Sequence, residues 1–117
     1  MPFVCDFEEC VEDLVTIMRG HEYYQDVLLK EGAFEKCPVE CRRIESLMKM
    51  VDHVLERDLR YADKLLNICW PIHNICGLVD EALSVIAKEL GIIVFLPPLT
   101  LETVCFARDR LTNAIRD

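Results

Sequence analysis

The sequence predicts an all-α fold: a single-domain bundle of five to seven helices around a central apolar helix at about 72–90. Three observations carry this. Apolar residues recur three and four positions apart along almost every long segment, which is the helical period. Glycine and proline number only four and five in 117 residues, so connections are few and short. The stretch 72–90 is apolar around most of its circumference, as a helix enclosed by others is. At this length one domain, residues 1–117, is expected, with a core large enough to need no staples.

The elements follow in order. A first helix starts at Asp6, which can cap it, with Glu9 three residues on as in a capping box. Phe7, Val11, Leu14, Val15 and Met18 share its inner face, and Gly20 is a natural stop. A short second helix, about 21–31, turns Tyr24, Val27 and Leu28 inward and ends at Gly32. Pro38 suits the first turn of the third segment. There Cys41, Ile44, Met48, Val51, Leu55, Leu59, Ala62, Leu66 and Cys69 step by three or four. Polar residues crowd around "ERDLR", and a break at about 57–60 is expected. Proline disfavours helical geometry in the residue before it, so Trp70-Pro71 should end one helix near 69 and open the next near 71–74.

The helix at 72–90 carries Ile75, Cys76, Leu78, Val79, Ala82, Leu83, Val85, Ile86, Ala87 and Leu90. Asp80, Ser84 and Lys88, with Glu81 beside them, leave it one narrow polar strip. Gly91 ends it. "IIVFLPP" then forms an extended or tightly turning connection. Thr100 can cap a last helix with Leu101, Val104, Cys105, Leu111 and Ile115 inside and Arg116 near its end.

The net charge of −8, with no basic cluster, argues against nucleic acid and anionic membranes as partners. The N-terminus lacks the basic-then-apolar pattern of a secretory leader, and "LGIIVFL" is too short to span a bilayer. The expectation is a cytoplasmic protein without a membrane span, whose seven cysteines are reduced.

Cys69, His73 and Cys76 are spaced four and three apart, as zinc ligands on one helix face would be. Pro71 interrupts that face, and both thiols already continue apolar stripes, so burial is the favoured reading and a zinc or thiol site the alternative. Cys37 stands at a helix N-terminus, where the dipole can lower a thiol pKa and make it reactive. No phosphate loop or catalytic constellation is present, so the expectation is a non-enzyme without cofactor. Leu47, Met48, Met50, Val51, Val54 and Leu55 cover a wider arc than a core stripe needs. With Ile75 and Val79 they form the candidate partner-binding groove or dimer face. The bland reading is that they are core.

Three stretches carry a resemblance: "EYYQD" at 22–26, "LLN" with "PIHNI" across 65–75, and "VIAKELG" at 85–91. In order and spacing the chain resembles the small poxviral Bcl-like virulence factors. The cellular family's Asn-Trp-Gly-Arg signature is absent, and "IIVFLPP" is more apolar than the viral pattern. The resemblance implies a host-directed inhibitor of apoptosis or of NF-κB innate signalling. Such proteins bind partner helices in a groove and often dimerise through the first and last helices. Transferred here, the groove would use the 44–55 arc and the start of the central helix. The rival reading is a homodimeric structural subunit.

Overall fold

The computed structural model describes residues 5–57 and 63–116. They form five α-helices: α1 (Phe7–Tyr23), α2 (Ala33–Lys36), α3 (Pro38–Glu56), α4 (Lys64–Leu90) and α5 (Leu101–Ile115). A turn of π-helix, Tyr24–Leu28, extends α1, and no strand occurs among the described residues. The all-α, single-core architecture is as the periodicity requires.

Asp6 caps α1 by accepting the Glu9 N–H at 2.8 Å. The helix does not stop at Gly20. Gly20 is buried in its interior, and a Cβ there would meet Leu83 Cδ1 at 3.0 Å and Val79 Cγ1 at 3.2 Å. The glycine is therefore a close-packing point between α1 and α4, not a terminus. Cys10 and Ile17 join the buried face of α1, because the helix packs on both α4 and α5 and must bury a wider arc than one stripe.

Nor is 21–31 a separate helix. α1 runs directly into the π turn, with Tyr24 still in right-handed helical geometry. The wider turn shifts the helical phase, and the adjacent Tyr23 and Tyr24 are both buried. Gly32, at φ 86°, ends the run in the left-handed conformation glycine tolerates. The short α2 that follows, which no sequence periodicity marked, inserts Ala33 into the core.

Pro38 occupies the first turn of α3. Cys41, Ile44, Leu47, Val51, Val54 and Leu55 are its buried stripe. α3 ends at Glu56 and Arg57 is extended, as the expected break requires. The remainder of that break, with Leu59 and Ala62, lies outside the described residues.

Trp70-Pro71 does not separate two helices. α4 runs unbroken for 27 residues from its cap at Asp63, with Pro71 inside it. Proline deprives the carbonyl four residues earlier, here that of Asn67, of its helical N–H. The Arg57 guanidinium donates to that carbonyl at 3.2 Å instead. A side chain from the end of α3 thus takes over a hydrogen bond that Pro71 removes.

α4 is the organising helix: α1, the π turn, α2 and α3 all pack against it. Its enclosure is less complete than expected. Ile68, Cys69, Ile72, Ile75, Val79, Ala82, Leu83, Ile86 and Ala87 are buried. Gly77, Leu78, Glu81 and Val85 are exposed together with Asp80, Ser84 and Lys88, so the wet side is a broad face, not a thin strip. α5 explains this. It packs on α1 and α3 and leaves the outer side of α4 uncovered.

The two helical glycines give opposite expectations. Gly77 has nothing within 4 Å of an added Cβ, so Gly77→Ala should stabilise by roughly 0.5–1 kcal/mol. Gly20→Val should destabilise by roughly 1–3 kcal/mol, because its methyls would enter space held by Leu83 and Val79. Thermal melts by circular dichroism should show Tm moving up in the first variant and down in the second.

Candidate functional site

The site is built where α4 stops. Gly91 adopts φ 69°, its N–H bonds the Lys88 carbonyl at 3.2 Å, and the Ile92 N–H bonds that of Ala87 at 3.0 Å. This is a Schellman closure, which satisfies the last helical carbonyls and turns the chain sharply. The β-branched Ile92, Ile93 and Val94 then favour extended backbone, and Pro97-Pro98 holds the residues before each proline extended too.

Two side chains of α1 fix the segment. Tyr23 Oη donates to the Ile93 carbonyl at 3.2 Å, and Arg19 Nε donates to the Pro97 carbonyl at 2.8 Å. Ile92, Val94 and Leu96 are half-buried against the core. The alternate residues point away: Ile93 is 76% exposed and Phe95 75%. Leu99 (59%), Leu101 (79%) and Phe106 (55%) continue the exposed apolar run into α5. Leu101 and Cys105 were expected inside. The stripe that faces inward is instead Val104, Ala107, Leu111 and Ile115, which leaves 101 and 105 on its flank.

Beside this face lies a cleft of about 410 Å³ between α1 and the connection, with Val11, Val15, Leu99 and Val104 as its apolar lining. Glu8 and Glu12 stand on its rim. Glu8 pairs with Arg108 at 2.7 Å across α1 and α5. From Leu90 to Leu101 there is no charged residue, in a chain that is 29% charged.

Of the two readings of the third-helix arc, core and groove, the burial of its residues fits core. Leu47, Val51, Val54, Leu55, Ile75 and Val79 are all buried. Met48 is half-buried and only Met50 is exposed. The extra width of the arc is consumed because α3 packs on α2, α4 and α5, so three neighbours divide it among them.

The thiol readings also change. Cys69 is bonded to Cys5, 64 residues away, with Cα atoms 6.0 Å apart, so neither is a free ligand and the expectation of seven reduced cysteines fails at this pair. Closing a loop of that length stabilises by about 4 kcal/mol in the chain-entropy account. His73 Nδ1 is instead paired with Asp13 Oδ2 of α1, at 3.0 Å. Among the described residues no group of three or more His, Cys, Asp or Glu is placed to hold a metal ion. Burial, and then the Asp13 and Asp80 carboxylates, push the Cys76 thiol up to about 12. Burial and Asp13 do the same to Cys10, also to about 12.

Cys37 is buried, and burial with the Glu40 and Glu89 carboxylates raises its pKa, opposed in part by Lys36. The helix N-terminus was the reason to expect a reactive thiol there. Burial, the largest influence on this thiol, acts the other way. Cys41 is raised as well, chiefly by burial, although its hydrogen bond with Tyr24 acts the other way. Of the five free cysteines only Cys105 is exposed.

Compared with family models, curated proteins and solved structures, the chain matches none. No described helix is long and apolar enough to cross a membrane. The exposed run 93–101 was missed as a site because the sequence marks it only as a connection; its lack of charge was the available signal.

Two measurements check the thiols. In denaturant without reductant, five should titrate with a thiol reagent; in the native protein at neutral pH Cys105 should react far faster than the other four. The alkaline limb of stability has a defined sign. Cys10 and Cys76 have folded pKa values raised from 9.0 to about 12, so their contribution is complete below pH 9 and is lost as pH climbs toward 12. Urea midpoints should stay level up to about pH 8.5 and decline beyond pH 9.

Proposed function

We propose that this chain is a non-catalytic protein-binding module and that its binding surface is the uncharged face of the 93–101 connection with Phe106. One observation carries the reading. Ile93, Phe95 and Leu101 each leave about three quarters of their surface in water, on backbone anchored by Tyr23 and Arg19. Exposed apolar clusters of this kind mark interaction sites, and a fixed backbone lowers the ordering cost of binding. The raised thiols and the His73–Asp13 pairing support a non-catalytic reading, since neither supplies an activated nucleophile.

The kind of partner follows from the sequence resemblance. We assign the module to the Bcl-like viral inhibitors, acting on apoptosis or NF-κB signalling through the amphipathic helices of host proteins. The all-α bundle with a long organising helix supports this assignment. The surface differs from the one that resemblance implied: the 44–55 arc is core, and the connection takes its place. The zinc alternative loses its first ligand to the Cys5 bond.

The test is suppression in cells. Wild-type protein should lower an NF-κB reporter or caspase activation several-fold. Phe95→Asp combined with Leu101→Asp should abolish that effect while leaving the circular dichroism spectrum unchanged, because both side chains are already in solvent. A wild type with no effect on either pathway overturns the assignment, and a double variant as active as wild type overturns the surface.

A further inference from the structure

We propose that Cys5 and Cys69 form a reversible dithiol–disulfide pair that exchanges with low-molecular-weight thiols and their disulfides, and that its redox state sets how firmly the start of α1 is held to α4. The inference does not depend on the binding face at 93–101, which follows the other end of α4.

The junction is built for both states. Cys5 immediately precedes Asp6, the cap of α1, and Cys69 lies in the second turn of α4. Each sulfur faces a main-chain carbonyl beside its partner cysteine. Cys5 Sγ is 3.7 Å from the Leu65 oxygen, and Cys69 Sγ is 3.6 Å from the Asp6 oxygen. A disulfide has no hydrogen to donate, so both contacts are idle while the bond stands. On reduction each new S–H finds an acceptor already in place. Reduction therefore strands no buried donor, which would otherwise oppose it. Two weak S–H···O bonds replace one covalent tie, so the junction loosens without coming apart.

The rest of the chain does not need this bond as a staple. One continuous core runs through α1, α3, α4 and α5. Five other cysteines stay free. A single disulfide among five thiols is the pattern of a redox-responsive pair, whereas small secreted scaffolds pair their cysteines throughout. Nor do neighbouring thiols compete for the exchange. Cys10 and Cys76 are pushed up to about 12, chiefly by burial, and so remain protonated and inert at neutral pH.

Access fixes the order of events. Cys5 is half-buried and Cys69 is buried, so Cys5 is the sulfur that meets a reagent. In oxidation the Cys5 thiolate attacks one sulfur of glutathione disulfide, forming a mixed disulfide and expelling one glutathione thiolate. The Cys69 thiolate then attacks the Cys5 sulfur, which closes the protein bond and expels the second glutathione thiolate. The two expelled thiolates take up the two protons that Cys5 and Cys69 lost. Two electrons pass from the pair to the glutathione disulfide. Reduction retraces this path. A glutathione thiolate attacks the Cys5 sulfur and Cys69 leaves as thiolate. A second glutathione thiolate then lifts the first off Cys5 as glutathione disulfide.

The test uses the full chain with Cys105→Ser, which removes the one exposed free thiol. The protein is equilibrated in native buffers over a range of reduced to oxidised glutathione, quenched with acid, alkylated and weighed by mass spectrometry. The number of alkylated thiols should rise by two in a single step as reduced glutathione increases, with helicity unchanged. Amide exchange at Cys10, Val11 and 68–70 should be faster in the reduced form. With Cys69→Ser added, Cys5 should take up one glutathione. With Cys5→Ser instead, Cys69 should take up none. A bond that no glutathione ratio reduces before the chain unfolds overturns the proposal, because the pair is then a permanent staple. A pair that stays reduced in oxidised glutathione overturns it too. So does loss of helicity on reduction, equal exchange at 68–70 in both forms, or equal glutathione uptake by the two serine variants.

Discussion

The close approach of α1 and α4 at Gly20 is the constraint on which the other contacts depend. Leu83 and Val79 of α4 occupy the space that a side chain at position 20 would need. With the two helices this near, Cys10, Leu14 and Ile17 of α1 and Ile72, Ile75 and Val79 of α4 belong to one apolar core. α1 can then run on into the π turn, which brings both Tyr23 and Tyr24 inward. Tyr23 and Arg19 stand on the same helix, so the position of α1 also decides where the connection after α4 is held.

A second dependence runs through Pro71. A proline in a helix interior costs about 3 kcal/mol or more when nothing compensates the lost bond. Here Arg57, extended at the end of α3, donates to the carbonyl left over at Asn67. The unbroken α4 that results is long enough to receive α1, α2 and α3 along one side. The Cys5–Cys69 bond ties the start of α1 to the same region. Two cross-connections, one polar and one covalent, thus converge near the proline that would otherwise divide the helix.

The consequence for function lies at the far end of α4. The Schellman closure at Gly91 hands the chain to an uncharged segment that α1 grips by only two carbonyls. Half of its side chains complete the core and half are left in water. Core-facing and water-facing positions are interleaved residue by residue, which is the period of an extended strand and not of a helix.

Local chemistry was enough to settle most element identities. The Asp6 and Thr100 caps, Pro38 in a first turn, the left-handed Gly32 and Gly91, and the inward stripes of α1 and α3 are all written in short-range spacing, because caps and periodicity act within one or two turns. Where the sequence reading failed, a distant residue had the last word. Gly20 reads as a stop until Leu83 is beside it; Pro71 reads as a break until Arg57 reaches Asn67; Cys69 reads as a reduced core thiol, and is buried as such, until Cys5 is bonded to it. The arc at 47–55 left core and groove both open until its neighbours buried it, and Leu101 looked buried until the inner stripe of α5 was set by α1 and α3. Propensity and pattern state which face of an element avoids water. Only packing states which neighbour, if any, is there to cover it.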